Sequence, residues 1–321
     1  MRKDNGEVES KGKEEEPEVR REEKEEIEVE SEEKEGEEIE VDEEALPSRA
    51  AAIHEEIRQD GEKELERDGL ALLFSAIAAG LSMGASLMAK GIFQAHLEGV
   101  PGAFLLENLG YTFGFIIVIM ARQQLFTENT VTAVLPVMHK PTGSNLVLLL
   151  RLWAVVLLGN LIGTALASLA FTHMPIFDDA TRSAFVAISQ KVMENTPGEM
   201  FANAVISGWI IATMVWMFPS AGNAKIWVII LMTWLVALGD LAHIVVGSVE
   251  VLYLVFNGLI GWQEFLWPFA LPTLAGNIIG GTFIFALISH AQIRNDMTTR
   301  AKAEAEAKKK RKNKEKAAAE E

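Results

Sequence analysis

The sequence predicts an all-α membrane protein of six transmembrane helices, built as two inverted three-helix repeats whose second and fifth helices are broken. Three observations carry this expectation. Residues 69–291 hold only 17 charged side chains in 223 residues. The apolar runs within them are roughly 20 residues or longer, as a bilayer of about 30 Å requires. Finally, "LLGNLIGTALASL" in the third run is answered by "LAGNIIGGTFIFAL" in the sixth, with Gly159-Asn160 and Gly276-Asn277 117 residues apart.

The whole-chain composition hides this division. A net charge of −16 and 23% charged residues resemble a soluble acidic protein, yet residues 1–68 carry 29 acidic and 12 basic side chains while 292–321 carry 10 basic and 6 acidic. Residues 1–44, rich in Glu and Lys, cannot bury enough apolar surface to offset chain entropy, and are expected to be a disordered acidic arm. The opening "MRKDNGEVESKGKEEEPEVR" lacks the apolar core of a secretory signal, so insertion is expected to be directed by the internal spans. Absence of cysteine excludes disulfides, thiolate metal sites and cysteine nucleophiles. The six histidines show no metal-ligand spacing and no phosphate-binding loop is present, so neither a cofactor nor a metal is expected, nor ATP hydrolysis, nor a nucleic-acid partner.

The elements follow in order. Residues 45–68, with a Pro–Ser opening, an Ala-rich start and Glu/Arg pairs, predict a juxtamembrane amphipathic helix. Spans follow at about 69–91, 108–138, 145–171, 199–218, 226–256 and 266–291. The second and fifth are too long for one straight crossing and are interrupted by polar or small residues, which predicts broken helices. A basic tail, 292–321, completes the chain. Lys140, Arg151 and Lys225 lie on one side, while the connection 172–198 is net acidic, with only Arg182 and Lys191. That distribution places both termini in the cytoplasm.

The stretch "IMARQQLFTENTVTAVLPV", 119–137, puts Arg122, Gln123, Gln124 and Glu128 inside an apolar span. Intramembrane charge is costly and therefore marks a helix break lining a cavity or buried in protein. Applying the 117-residue offset lays Phe126 on His243 and Gln123 on Asp240, so the two breaks are expected at equivalent places. Thr127 suits the N-cap of the resuming helix and Glu128 its first turn. Arg122 and Glu128 either line the pore or pair structurally. His243 is the side chain of this region able to exchange protons near neutral pH. Asp240, three residues earlier, either holds one of its ring nitrogens or faces a subunit interface.

At these residues the sequence resembles the formate/nitrite transporter family, and is most similar to its YfdC-type subgroup of inner membrane proteins. The matching stretches are "QQLFTENT", "LLGNLIGTAL", "TMVWM", "LVALGDLAH" and "PTLAGNIIGG", covering about Asp68 to Arg294. The resemblance implies an aquaporin-like bundle in the bacterial inner membrane, assembled as a homopentamer with one pore per protomer. It implies passage of small monovalent anions, in part as the neutral acid, past a central histidine. Carried over by alignment, Phe115, Phe126 and Leu235 match apolar constriction positions, Thr127 the hydroxyl of the loop, His243 the central histidine and Lys191 a vestibular lysine. The chain differs from the family in having Gly239-Asp240-Leu241-Ala242-His243 where a Glu usually precedes the histidine, Gly208 where an asparagine is usual, and Arg122-Gln123-Gln124 ahead of "LFT".

The leading expectation is a channel or proton-linked transporter for formate- or nitrite-like anions, and not an enzyme. Two alternatives stay open: a membrane sensor or scaffold with a vestigial pore, and a channel for a different small solute. An intramembrane enzyme using Asp240, His243 and Glu128 has no accompanying nucleophile or metal set.

Overall fold

A computed structural model of the chain describes residues 49–293 and 295. The expected acidic arm 1–44 and nearly all of the basic tail 292–321 lie outside the described residues, all of which belong to the second of two contact units, Ser48–Glu321. The described residues are helical, with no strand among them.

The first helix, α1 (Arg49–Glu66), buries His54, Ile57, Gly61 and Leu65. These positions share one face at helical spacing, and Glu55, Arg58 and Glu62 pair on another. Gly61 brings α1 against the backbone of Thr132 and the ring of Pro136, where a Cβ would collide. Asp68 then caps α2 (Gly69–His96), its carboxylate accepting from the amides of Leu70 and Ala71 at 3.0 and 3.1 Å.

The second hydrophobic run is divided into α3 (Ala103–Leu109), α4 (Thr112–Met120), α5 (Phe126–Asn129) and α6 (Val134–His139). The third is the single helix α7 (Gly143–His173), capped by Thr142. An amphipathic helix, α8 (Asp179–Met193), leads to α9 (Pro197–Ala221), which opens with a capping box between Thr196 and Glu199. A short turn with Gly222 at φ 48° separates α9 from α10 (Lys225–Leu238). After a second break comes α11 (Ile244–Phe256), then α12 (Trp262–Ile293), which passes through two π-helical stretches and leaves helical geometry at Trp267.

Five helical runs are long and apolar enough to cross a membrane, the 42-residue run Pro197–Leu238 among them. Leu70, Phe74, Val147, Leu158, Trp227 and Ile288 are all more than half exposed. A soluble protein would not scatter so many large apolar groups over its outer face, whereas hydrocarbon accommodates them.

The repeated Gly-Asn stretches set the closest helix contacts. Gly159 and Gly163 of α7 face Leu73, Ala76 and Ile77 of α2; Gly276 and Gly280 of α12 face Phe201, Ala204 and Val205 of α9. A Cβ at any of the four would run into the facing helix, so the glycines permit the close approach typical of membrane helix pairs.

Candidate functional site

Two helix breaks meet inside this bundle. Each turns on a non-glycine residue in left-handed geometry, Arg122 at φ 52° and Asp240 at φ 49°. The next amide then reaches back, Gln123 to the Val118 carbonyl at 2.9 Å and Leu241 to the Val236 carbonyl at 3.0 Å. The extended segments beyond leave backbone groups that no helix satisfies, a costly state in a membrane interior.

Two asparagines satisfy them. Asn160 Oδ1 accepts the Phe126 amide at 2.9 Å, while its Nδ2 donates to the carbonyls of Ala76 and Gln124. Asn277 Oδ1 accepts the Ile244 amide at 2.9 Å, while its Nδ2 donates to Ala204 and Ala242. Both asparagines have no solvent exposure. The paired glycines beside them hold helices close; the asparagines hold the breaks open.

This bonding pairs Phe126 with Ile244 and Leu125 with His243, one residue away from the sequence-based alignment of Phe126 with His243. The amide-to-asparagine separation is 34 residues in the first half and 33 in the second, so an offset taken from the asparagines misses by one at the breaks. A second correction follows. The N-cap position of α5 is Leu125 rather than Thr127. Because Asn160 already takes the first amide, the Thr127 hydroxyl is released for another partner.

That partner is His243. Thr127 Oγ1 and His243 Nε2 lie 2.8 Å apart, and both residues are buried. His243 itself occupies the N-cap of α11, its Nδ1 accepting the Val246 amide hydrogen at 3.3 Å. An Nδ1 that accepts carries no proton, so the neutral ring holds its hydrogen on Nε2 and donates it to Thr127. Phe115 packs edge-on against the imidazole with ring centroids 5.1 Å apart.

Cavities open on both sides of this layer. The first, about 270 Å³, reaches His243 from Lys90, Lys191, Asp240, Met200 and Glu250; the second, about 390 Å³, is lined by Ile119, Arg122, Glu128, Val215 and Lys225 together with α1 residues. Met200 and Val215 lie on the same helix, about 22 Å apart at 1.5 Å per residue. The cavities therefore occupy opposite ends of α9.

The other expected site residues separate by environment. Asp240 does not hold the imidazole; its Oδ2 pairs with Lys191 Nζ at 2.6 Å at the margin of the first cavity. The left-handed turn and extended segment between residues 240 and 243 remove the helical register that would have put the two side chains on one face. Lys191 also lies 5.9 Å from the Phe104 ring centroid. Arg122 and Glu128 share the second cavity without a salt bridge, and Glu128 Oε1 is buried with no hydrogen-bond partner among the described residues. Gln124 explains part of the polar cluster: it accepts from Asn129 at 2.9 Å and donates to Glu64 of α1 at 2.8 Å.

Of the apolar constriction residues, Phe115 sits at the partition. Phe126 turns its ring toward Trp153 of α7, 5.9 Å between centroids, and lines neither cavity. Leu235 is 51% exposed on the outer side of α10, whereas the next residue, Val236, is fully buried. A one-residue step rotates a helix by about 100°, enough to exchange inside for outside. Reasoning from the sequence also passed over Ile119, one turn beyond Phe115, and over Lys90, Tyr111 and Glu250. Glu250 was accessible from periodicity, being seven residues past His243 on the same helix face.

The fold and site define a multi-span membrane protein with two polar cavities separated by a buried threonine–histidine layer. The family description "Formate/nitrite transporter" matches residues 51–291, and the chain belongs to that family. It is 78% identical to the inner membrane protein YfdC of Escherichia coli K12 over 261 residues, covering 81% of this chain and 84% of that relative. Similarity to the formate channel FocA of Haemophilus influenzae is 24% identity over 246 residues, 65% of this chain and 83% of the relative. Among solved structures, a pentameric formate channel with formate bound superposes with a TM-score of 0.60 at 23% identity, covering 70% of this chain and 97% of that one. An FNT family ion channel gives 0.62 at 16%, covering 74% and 96%. FocA and both solved relatives are channels by name.

Proposed function

We propose that the chain is a bacterial inner-membrane channel or proton-linked transporter for small monovalent anions of the formate and nitrite type, working as a homopentamer with one passage in each protomer. The observation that carries this reading is the Thr127–His243 contact at 2.8 Å between cavities at opposite ends of α9. Transfer of a bare anion across a dry partition is opposed by its desolvation, and combining it with a proton removes much of that cost. Lys191 at the margin of the first cavity attracts the anion, Phe115 and Ile119 keep the partition apolar, and His243 with Thr127 supplies a hydrogen-bonding step through it.

The same reading divides the chain into an acidic arm (1–44), a juxtamembrane helix (45–68), a six-span pore domain (69–291) and a basic tail (292–321), with both termini cytoplasmic. Three spans per half make the halves inverted repeats. Equivalent asparagine bonds, left-handed turns and glycine contacts in the two halves support that symmetry. The bundle is read as aquaporin-like, with its substrate and lipid as partners.

The test is flux in proteoliposomes containing the full chain. Formate, nitrite, acetate and water are followed against pH for wild type and His243→Ala. Wild type should carry at least one anion faster at acidic pH, and the variant should lose that dependence. Wild-type vesicles no more permeable to anions than empty ones would overturn the proposal.

A further inference from the structure

Glu250 has no part in the passage described so far, although it lines the first cavity. Only 5% of the residue is exposed. Among the described residues, no hydrogen bond or salt bridge reaches its carboxyl group. Its helix carries His243, Gly247 and Glu250 at spacings of four and three residues, and all three line the same cavity. They form one strip of α11 leading from the cavity to the partition, with Glu250 about 10 Å from His243 along the axis.

His243 is poorly disposed to meet a solute in this arrangement. Its Nδ1 is engaged by Val246, its Nε2 by Thr127, and 2% of the residue is exposed. A group that delivers a proton to an entering anion needs an oxygen or nitrogen open to the cavity. Glu250 lines the cavity, and among the described residues its carboxyl oxygens are engaged by no other group.

We propose that Glu250 is the carboxyl group that gives a proton to a weak-acid anion in the first cavity, before the solute reaches His243. This rests on the anion-transport reading above. The proton leaves a Glu250 carboxyl oxygen and bonds to the anion, giving the neutral acid and a Glu250 carboxylate. A proton from water at the cavity mouth then restores the Glu250 acid. Charged or titratable groups reach the cavity from each neighbouring direction: Lys90 from α2, Tyr111 ahead of α4, Lys191 from α8, Glu194 and Glu199 beyond it, and Asp240 from the break. From α7 and α12 come the uncharged Ser168, bonded to the Val249 carbonyl at 2.9 Å, and Phe269. Lys90 places positive charge in the cavity and Lys191 a charge shared with Asp240, and the buried Tyr111 hydroxyl has no hydrogen-bond partner among the described residues.

The experiment compares wild type, Glu250→Gln and Glu250→Asp as full chains in proteoliposomes, with formate and acetate as probes and an internal dye reading proton entry. Glu250→Gln should lower formate-coupled proton entry at least about tenfold, whereas Glu250→Asp, which retains an exchangeable proton, should stay within about threefold of wild type. The sign separates this role from simple repulsion. If Glu250 acted only as a fixed negative charge, its neutralisation would raise anion flux, and a rise overturns the proposal. Unchanged flux in Glu250→Gln overturns it as well, leaving the transport reading intact. A wild type without flux removes that reading, and the inference falls with it. A readout independent of transport is the infrared difference spectrum between neutral and acidic pH. A carboxylic-acid carbonyl band present in wild type should be missing from Glu250→Gln and displaced in Glu250→Asp; an identical spectrum in all three also overturns the assignment.

Discussion

The side-chain oxygen of Asn277 accepts the amide hydrogen of Ile244 at 2.9 Å, and the same side chain donates to Ala204 and Ala242. One residue thus satisfies two backbone groups at a break and, through Ala204, ties the break to α9. Asn277→Leu, of similar size, should leave the Ile244 amide and the Ala242 carbonyl unpaired, while the Ala204 carbonyl keeps its bond within α9. At about 1–3 kcal/mol for each unsatisfied group, the loss should lower the thermal midpoint of the detergent-solubilised protein strongly. Asn160→Leu should act similarly in the first half. A variant melting with the wild type would show that water or neighbouring groups replace the asparagine.

Thr127 tests the central layer without removing the histidine. Thr127→Val keeps the shape but deletes the hydroxyl that receives Nε2–H of His243, so it removes one neutral hydrogen bond of about 1 kcal/mol. If that bond forms part of the passage, acid-stimulated anion flux should change about fivefold, while Thr127→Ser remains near wild type. Equal flux in Thr127→Val and wild type would make the contact structural only.

His54 gives a pH dependence outside the membrane spans. It is buried between α1 and the rest of the protein, 3.0 Å from His290 and edge-on to Trp216 with centroids 6.1 Å apart. Burial, followed by the charge of His290, lowers its pKa from 6.5 to about 4. For a base whose folded-state pKa is depressed, the docked helix is favoured fully above 6.5 and loses that advantage as the pH falls toward 4. Amide exchange across residues 49–66 should therefore accelerate over that interval, and Trp216 fluorescence should change with it. His54→Gln should flatten both responses; an unaltered profile in that variant would assign the effect to another group.

The all-helical membrane architecture, the two breaks and the paired Gly-Asn stretches were legible in the sequence because each follows from a local property: apolar length, intramembrane charge, or repeated small residues. What escaped were relations across the breaks. The extra residue between Phe126 and Asn160 shifts the two halves by one, and nothing local to either break signals it. The same one-residue sensitivity moved Leu235 to the outer surface and Val236 inward. Asp240 is close to His243 in sequence but is drawn to Lys191, 49 residues earlier, which only the docking of α8 reveals. Phe115, Thr127 and His243 lie in contact at the centre. Glu250 lies beyond the break and carries no motif of its own, although the strip His243, Gly247, Glu250 follows from helical periodicity alone.

The left-handed turns provide a final test, since Arg122 and Asp240 occupy backbone conformations that L residues rarely adopt. Strain of this kind costs of order 1–3 kcal/mol per residue and is relieved by glycine, which offsets part of the gain by its greater freedom in the unfolded chain. Arg122 has no salt bridge among the described residues, so Arg122→Gly should be neutral to stabilising by up to about 1 kcal/mol, whereas the β-branched Arg122→Val should destabilise by more than that. Asp240→Gly should gain less, because it also removes the partly exposed ion pair with Lys191, worth under about 1 kcal/mol. Denaturation of the three variants in detergent gives the order directly. If Arg122→Gly proves the least stable, the arginine side chain contributes a contact across the second cavity that outweighs its backbone strain.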